Sequence, residues 1–127
     1  MKKGLYSLTV RSSFSAAHLL REYEGNCERL HGHNWLVEAT VESEEVDSRG
    51  MALDFRDMKR VLLDVLARLD HRHLNEIPPF DIENPSSENI ARHIYGEMEG
   101  KITGPARLAR VAVWESEDAR AEYTRRG

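Results

Sequence analysis

A chain of 127 residues, 40% hydrophobic and 31% charged, has the composition of an ordinary globular protein, and we expect residues 1–127 to form a single domain. Its 22 acidic and 18 basic residues give a net charge of −4, which argues against nucleic acid and anionic membranes as partners. The single cysteine excludes an internal disulfide, and no apolar run has the length of a signal peptide or a membrane span, so we expect a soluble, cytoplasmic protein.

The first predicted element is a long strand whose apolar face ends in a histidine. Residues on one face alternate from Tyr6 to Ala16, and the next position of that face is His18. The polar segment 19–30 then predicts a loop, which brings Cys27 back toward the end of the strand.

The second predicted strand extends from His33 to Ser43 and continues a face that begins at His31. His31 and His33 stand two positions apart, so in an extended chain they share a face with the apolar residues that follow. Antiparallel pairing with the first strand would bring His18 to both. Neutral imidazole is a common zinc ligand, and three histidines leave a fourth position open, as in catalytic zinc sites. A single buried histidine is commonly just a hydrogen-bonded core residue, but three at one corner of a sheet favour a metal site.

Cys27 leaves two interpretations of this site open. As a fourth ligand, its thiolate would close the site and make the zinc structural. As a free thiol of lowered pKa, it would act as a general base on a substrate at the metal. We favour the second because a domain of this size needs no metal for its core, and because Asp70-His71 supplies a further titratable pair. The combination suits proton transfer at carbons that carry hydroxyl or keto groups, with zinc polarising the oxygens.

Two amphipathic helices are predicted after the second strand. Asp54 is a suitable N-cap for the first helix, and Ser86 or Ser87 for the second. The predicted buried positions of the first helix are Phe55, Met58, Leu62, Val65 and Leu69, and those of the second are Ile90, Ile94, Tyr95 and Met98. His93 lies off this second stripe, and we expect it to be exposed.

Two further strands complete the predicted fold. The first spans residues 108–114, with Ala109, Val111 and Val113 on one face and Glu115 at its end, and a short second strand covers 121–123. The order ββααββ predicts an α+β fold in which an antiparallel four-stranded sheet carries two helices on one face.

Six motifs, taken together and in order, resemble the family of 6-pyruvoyl-tetrahydropterin and 6-carboxy-tetrahydropterin synthases. They are Phe14-x-Ala16-Ala17-His18, Cys27-x-x-x-His31-Gly32-His33, Leu53-Asp54-Phe55, Leu69-Asp70-His71-x-x-Leu74-Asn75, Asn84-Pro85-Ser86-Ser87-Glu88 and Trp114-Glu115-Ser116. The resemblance implies the tunnelling fold, or T-fold, in which sheets of several subunits close into a barrel. It also implies a homohexamer with active sites between subunits, and a 7,8-dihydroneopterin triphosphate substrate that loses triphosphate.

The resemblance also implies a role for each candidate site residue. The zinc ligands would be His18, His31 and His33. Cys27 would accept a proton, and His71, oriented by Asp70, would relay or donate protons. Glu115 would hold the amino-pyrimidinone edge of the pterin, because one carboxylate can accept two parallel N–H bonds.

The spacing within one motif favours one branch of this family. Three residues separate Cys27 from His31, as in the bacterial carboxy-tetrahydropterin branch of queuosine and 7-deazapurine synthesis. That enzyme would release acetaldehyde and triphosphate and leave 6-carboxytetrahydropterin. The alternatives are triphosphate elimination by a 6-pyruvoyl-tetrahydropterin synthase and a non-catalytic, zinc-stapled binding domain. Arg21, Arg29 and Arg72 are candidates for the triphosphate site.

Overall fold

The computed structural model describes residues 4–22 and 28–125 and shows one sheet covered by two helices. The elements are β1 (Tyr6–His18), β2 (His31–Ser43), α1 (Phe55–Ala67), β3 (Arg72–His73), a 3-10 turn (Leu74–Glu76), α2 (Ser87–Glu99), β4 (Arg107–Ser116) and β5 (Ala119–Tyr123). No helix within the described ranges is both long and apolar enough to cross a membrane.

The sheet has five strands in the order β3-β1-β2-β4-β5. The predicted α+β class is confirmed, but the prediction of a four-stranded, purely antiparallel sheet is wrong. The added strand β3 runs parallel to β1, with Arg72 beside Ala16 and His73 beside Ala17. A strand of two residues is too short to produce an alternating pattern, which is why the sequence gives no sign of it.

The β1–β2 ladder is the longest pairing in the described structure and sets the position of the histidines. It runs without a register shift from Tyr6 opposite Ser43 to His18 opposite His31. The second strand therefore begins two residues earlier than predicted. Phe14 of β1 and Trp35 of β2 lie on the face of this ladder that the helices cover, and their rings are stacked with centroids 5.9 Å apart.

Helix α1 begins as predicted, because the Asp54 side chain accepts a hydrogen bond from the backbone N–H of Arg56. Its buried residues, Met58, Leu62, Val65 and Leu66, pack toward the sheet. The prediction that Phe55 is buried is wrong, since the side chain is 56% exposed. Phe55 is the first helical residue, and helical side chains lean toward the N-terminus, here away from the turns that pack on the sheet.

Helix α2 is capped by the Ser86 hydroxyl and buries the predicted stripe together with Ala91. The predicted exposure of His93 is wrong: this ring is half-buried, with its centroid 5.3 Å from that of Phe80. The loop before α2 brings Phe80 over this flank of the helix, a contact that helical periodicity cannot reveal.

Strand β4 contains two irregularities that change which side chains share a face. Opposite β2, the register shifts between Arg110 and Leu108, so Leu108 is buried instead of Ala109. Opposite β5, the register shifts between Trp114 and Ser116, so Glu115 lies at a β-bulge. The predicted two-residue alternation of this strand is therefore correct only for its central part.

Candidate metal centre and active site

The three predicted histidines meet at one corner of the sheet, where β1 ends and β2 begins. His18 lies directly opposite His31, and Ala16 lies opposite His33, so all three imidazoles project from the helix-covered face. The Nε2 atoms of His18 and His31 are 3.1 Å apart. Together with Glu115, the histidines form a group whose potential ligand atoms all lie within 4.8 Å of one another.

The second ring nitrogen of two histidines is held by a backbone carbonyl. His18 Nδ1 lies 2.7 Å from the carbonyl oxygen of Pro85, and His31 Nδ1 lies 2.7 Å from that of Arg29. A carbonyl oxygen only accepts, so both Nδ1 atoms carry a proton, and Nε2 is the atom of each ring that can present a lone pair. The two lone pairs face each other at 3.1 Å, an arrangement that a cation between them would stabilise.

His33 supplies an independent sign of an incomplete site. Its Nε2 atom is buried and has no hydrogen-bond partner among the described residues, although Glu115 Oε1 is 3.2 Å away in an unsuitable direction. Burial lowers the pKa of His33, while the negative charge of Glu115 opposes that shift. A neutral imidazole with an unused buried nitrogen is the form that binds a metal.

Glu115 completes the group from β4. Its Oε1 atom is 3.2 Å from Nε2 of both His18 and His33. Two donors bound to one zinc ion at about 2.0–2.2 Å in a tetrahedral arrangement are roughly 3.3–3.6 Å apart. The observed separations therefore suit ligands that surround one small cation, and the residues present fit the predicted zinc.

A buried tryptophan fixes the walls of this corner. The Trp35 ring contacts His18 and His33 edge to face, with centroids 4.8 and 5.2 Å apart, and its side chain is fully buried. Its indole N–H lies 3.4 Å from the carbonyl oxygen of Ala16. The histidines thus stand on rigid core packing, which favours a preorganised site.

The predicted Asp70-His71 pair lies beside β1, outside the group of four. Asp70 accepts a hydrogen bond from the backbone N–H of Ser15 at 2.8 Å, and its other oxygen is 3.0 Å from His71 Nδ1. The Ser15 bond, followed by the His71 contact, lowers the pKa of Asp70 and keeps it ionised. His71 has a positive φ of 58° and is 81% exposed. The expected orientation of His71 by Asp70 is present, with the ring directed into open space.

An open groove of about 560 Å³ lies beside His71. Its lining includes His33, His71 and His73. Much of its remaining lining, such as Ser15 and Gly32, alternates along β1 and β2 with the positions of the metal corner, and the described lining contains neither His18, His31 nor Glu115. The group of four ligands does not itself include His71.

Cys27, the predicted proton acceptor, lies outside the described residues. The flanks of its loop are described and are joined to each other. The backbone N–H of Glu28 donates to the carbonyl of Leu20 at 2.9 Å, and the N–H of Leu20 donates to the Glu28 carboxylate at 3.2 Å.

Two asparagines that sequence reasoning left without a role hold the chain between His18 and that loop. The Asn75 amide pairs with both backbone groups of Leu19 at 3.0 and 2.9 Å, and Asn84 pairs likewise with Arg21 at 2.8 and 3.0 Å. The asparagine side chain has one acceptor and two donors and so reproduces a backbone pairing. The sequence signal for this role was that Asn75 ends the motif LDHRHLN and Asn84 begins the motif NPSSE.

Arg21, a candidate for the triphosphate site, is engaged elsewhere. Its guanidinium donates to the carbonyl oxygens of Phe80 at 2.7 Å and of Asn75 and Glu83 at 3.3 Å each. This side chain ties the loop after β1 to the loop before α2. Arg29 and Arg72, by contrast, are exposed.

Comparison with known proteins identifies relatives along nearly the whole chain. The family model described as 6-pyruvoyl tetrahydropterin synthase matches residues 7–126. A Synechocystis 6-carboxy-5,6,7,8-tetrahydropterin synthase is 38% identical over 87% of this chain and 87% of its own. An Archaeoglobus fulgidus protein provisionally given the same name is 41% identical, over 91% of this chain and 93% of its own.

Two further comparisons bear on activity and fold. A Pyrococcus furiosus dihydroneopterin monophosphate aldolase is 38% identical over 87% of this chain and 90% of its own. The structure of a Caenorhabditis elegans 6-pyruvoyl tetrahydropterin synthase superposes with a TM-score of 0.84 and 24% identity, covering 99% of both chains. At that identity the likeness establishes the fold, which is the predicted T-fold.

Proposed function

The chain belongs to the 6-pyruvoyl tetrahydropterin synthase family, and on this basis we propose that it is a zinc-dependent 6-carboxy-5,6,7,8-tetrahydropterin synthase. It would convert 7,8-dihydroneopterin triphosphate to 6-carboxytetrahydropterin, with release of acetaldehyde and triphosphate. The observation that carries the proposal is the convergence of His18, His31, His33 and Glu115 within 4.8 Å, with the Nδ1 atoms of His18 and His31 held by backbone carbonyls.

Each site residue has a separate task in this proposal. When bound, zinc supplies a Lewis acid that polarises the hydroxyl and keto oxygens of the substrate side chain. Cys27 takes a proton from the substrate carbon. His71 donates or relays protons, and Asp70, whose pKa is lowered, keeps the ring oriented. Glu115 holds the amino-pyrimidinone edge of the pterin.

The exposure of His71 favours sites shared by several subunits. His71 is highly exposed on one chain, and β3 and β5 are the two edges of the described sheet. Edge strands with unpaired backbone groups are commonly covered by another chain. We therefore propose a homohexamer in which the pterin lies between subunits, in a cytoplasmic protein of queuosine and 7-deazapurine biosynthesis.

A second activity is favoured by one relative. The Pyrococcus protein of 38% identity is named for an aldolase that acts on dihydroneopterin monophosphate. Arg21 is engaged with three carbonyl oxygens, which reduces the positive charge available to a triphosphate within one chain. Aldol cleavage of a monophosphate is therefore the alternative that the structure makes most worth testing. This cleavage removes the proton of a side-chain hydroxyl and breaks the adjacent carbon–carbon bond, and a metal that polarises the hydroxyl oxygen would assist it.

The deciding experiment supplies the zinc-loaded protein with 7,8-dihydroneopterin triphosphate and, separately, with the monophosphate. Mass spectrometry then identifies the pterin product. We expect 6-carboxytetrahydropterin, acetaldehyde and triphosphate from the first substrate and no turnover of the second.

Each other outcome replaces the proposal with a specific alternative. A pyruvoyl product would assign the protein to the sister branch. Cleavage of the monophosphate alone would assign it to the aldolases. No product from either, with a full complement of bound zinc, would support the non-catalytic, zinc-stapled domain.

A further inference from the structure

We propose that Glu115 alternates between two partners: it is the fourth protein ligand of the metal when no substrate is present, and it leaves the metal to hold the pterin when substrate binds. This inference rests on the proposed function for the identity of the second partner. It predicts a metal centre that is closed at rest and opened by its own substrate.

The position of the carboxylate supports the first partner. Its Oε1 atom contacts the Nε2 atoms of His18 and His33 equally, at 3.2 Å each. The carboxylate therefore lies against two of the three histidines, and all four potential ligand atoms are within 4.8 Å of one another.

The charges around Glu115 support the same partner. Among the described residues, no lysine or arginine forms an ion pair with Glu115, and His18 and His33 are its contacts at that distance. A carboxylate that faces imidazole nitrogens bearing lone pairs is repelled unless a cation or a proton lies between them. Zinc, with carboxylate and imidazole among its usual ligands, satisfies all four groups together.

The backbone around Glu115 supports its ability to change partners. The pairing of β4 with β2 ends at Trp114, and the pairing with β5 passes from Trp114 to Ser116, so neither neighbouring strand pairs with Glu115. Bulges of this kind redirect a side chain next to an active site. The Glu115 side chain is 38% exposed and can turn without disturbing the core.

The exchange would protect the centre. While Glu115 occupies the fourth coordination position, other small molecules have no vacant position at which to bind the metal. The pterin offers N–H groups that donate hydrogen bonds to the carboxylate, and it thus frees that position at the moment when its own side chain is present to use it.

The experiment measures zinc affinity by chelator competition for the wild type, for Glu115→Gln and for Glu117→Gln. Glu117 is an exposed residue in the turn between β4 and β5, and its variant makes the same charge change. We expect Glu115→Gln to bind zinc at least about tenfold more weakly, since even outer-shell changes cost about 10- to 100-fold. Glu117→Gln should bind it as the wild type does. Equal affinity in all three proteins would overturn the proposal.

A second measurement tests the exchange in the unaltered protein. The cobalt-substituted wild type is titrated with neopterin, a pterin without phosphate, while the visible absorption of the metal is followed. We expect the spectrum to move toward that of cobalt-substituted Glu115→Gln. A spectrum that neopterin leaves unchanged while it binds would show that Glu115 stays on the metal, and the exchange would be refuted. Product formation by the wild type is assayed in parallel, so a failed function is distinguished from a failed ligand assignment.

Discussion

Replacing Arg21 by methionine tests whether this residue supports the architecture of the site or binds substrate phosphate. Its guanidinium makes one short hydrogen bond to the Phe80 carbonyl at 2.7 Å and two longer ones, at 3.3 Å, to the carbonyls of Asn75 and Glu83. Methionine retains most of the aliphatic stem and removes all three donors. The backbone of Arg21 remains paired with Asn84, so the change is confined to the side chain.

The size of the effect follows from those contacts. A hydrogen bond from a charged donor contributes about 1.5–3 kcal/mol, and the short bond to Phe80 should deliver a value in that range. The two longer bonds lie beyond the usual 2.7–3.2 Å distance range and together add about 1 kcal/mol at most. We therefore expect Arg21→Met to lower the free energy of unfolding by about 2–4 kcal/mol.

Urea titration of the zinc-loaded proteins, all at the same protein concentration, measures this difference in the free energy of unfolding. Arg29→Met is the matched control, because Arg29 is an exposed arginine of the same loop region. Its stability should stay within about 0.5 kcal/mol of the wild type. If Arg21→Met unfolds at the wild-type urea concentration and instead raises the KM for the pterin triphosphate, our account of Arg21 is refuted.

Four further predictions concern the metal, the base, assembly and pH. Purified protein should hold about one zinc per chain by elemental analysis, and His31→Ala should lose most of it; full zinc content in that variant would contradict the ligand assignment. Cys27→Ala should keep its zinc and its melting temperature but lose about 10²- to 10⁴-fold in turnover, whereas early unfolding and loss of zinc would make Cys27 a structural ligand. Light scattering should show an oligomer, most simply a hexamer, and a stable monomer at micromolar concentration would exclude shared sites. Burial lowers the pKa of His93 below 6.5, so the unfolded state binds more protons, and stability is lost as the pH falls through that value. The variant His93→Gln should therefore lose less of its melting temperature than the wild type as the pH is lowered. Identical pH profiles of the two proteins would show that His93 does not titrate in this range.

The parts of the structure that follow from regular periodicity could be predicted from the sequence. The alternation that ends at His18 and the pair His31 and His33 were enough to place three ligands at one sheet corner, because antiparallel pairing allows little else. The position of Glu115 was predicted only as the end of an apolar face. Its approach to the histidines depends on a bulge in the β4–β5 pairing, and bulges carry no reliable sequence pattern.

Features that depend on contacts between distant segments could not be predicted. The parallel pairing of β3 with β1 involves two residues and depends on where the chain emerges from α1. The burial of His93 depends on a loop that brings Phe80 onto the helix flank. In the same way, the amide pairing of Asn75 and Asn84 with the end of β1 requires tertiary proximity that neither motif encodes locally.

The long ladder between β1 and β2 has a consequence for how the protein folds. A twelve-residue connection between His18 and His31 is no tight turn, so the connection itself does not dictate how the two strands align. A slip of one residue would turn the ligands of one strand to the opposite face of the sheet and separate them from those of the other. If the corner binds zinc as proposed, the metal stabilises the observed alignment over a one-residue slip by a free energy that grows with the logarithm of the free metal concentration. Refolding with zinc present should accordingly give a higher yield of native protein than refolding first and adding zinc afterwards.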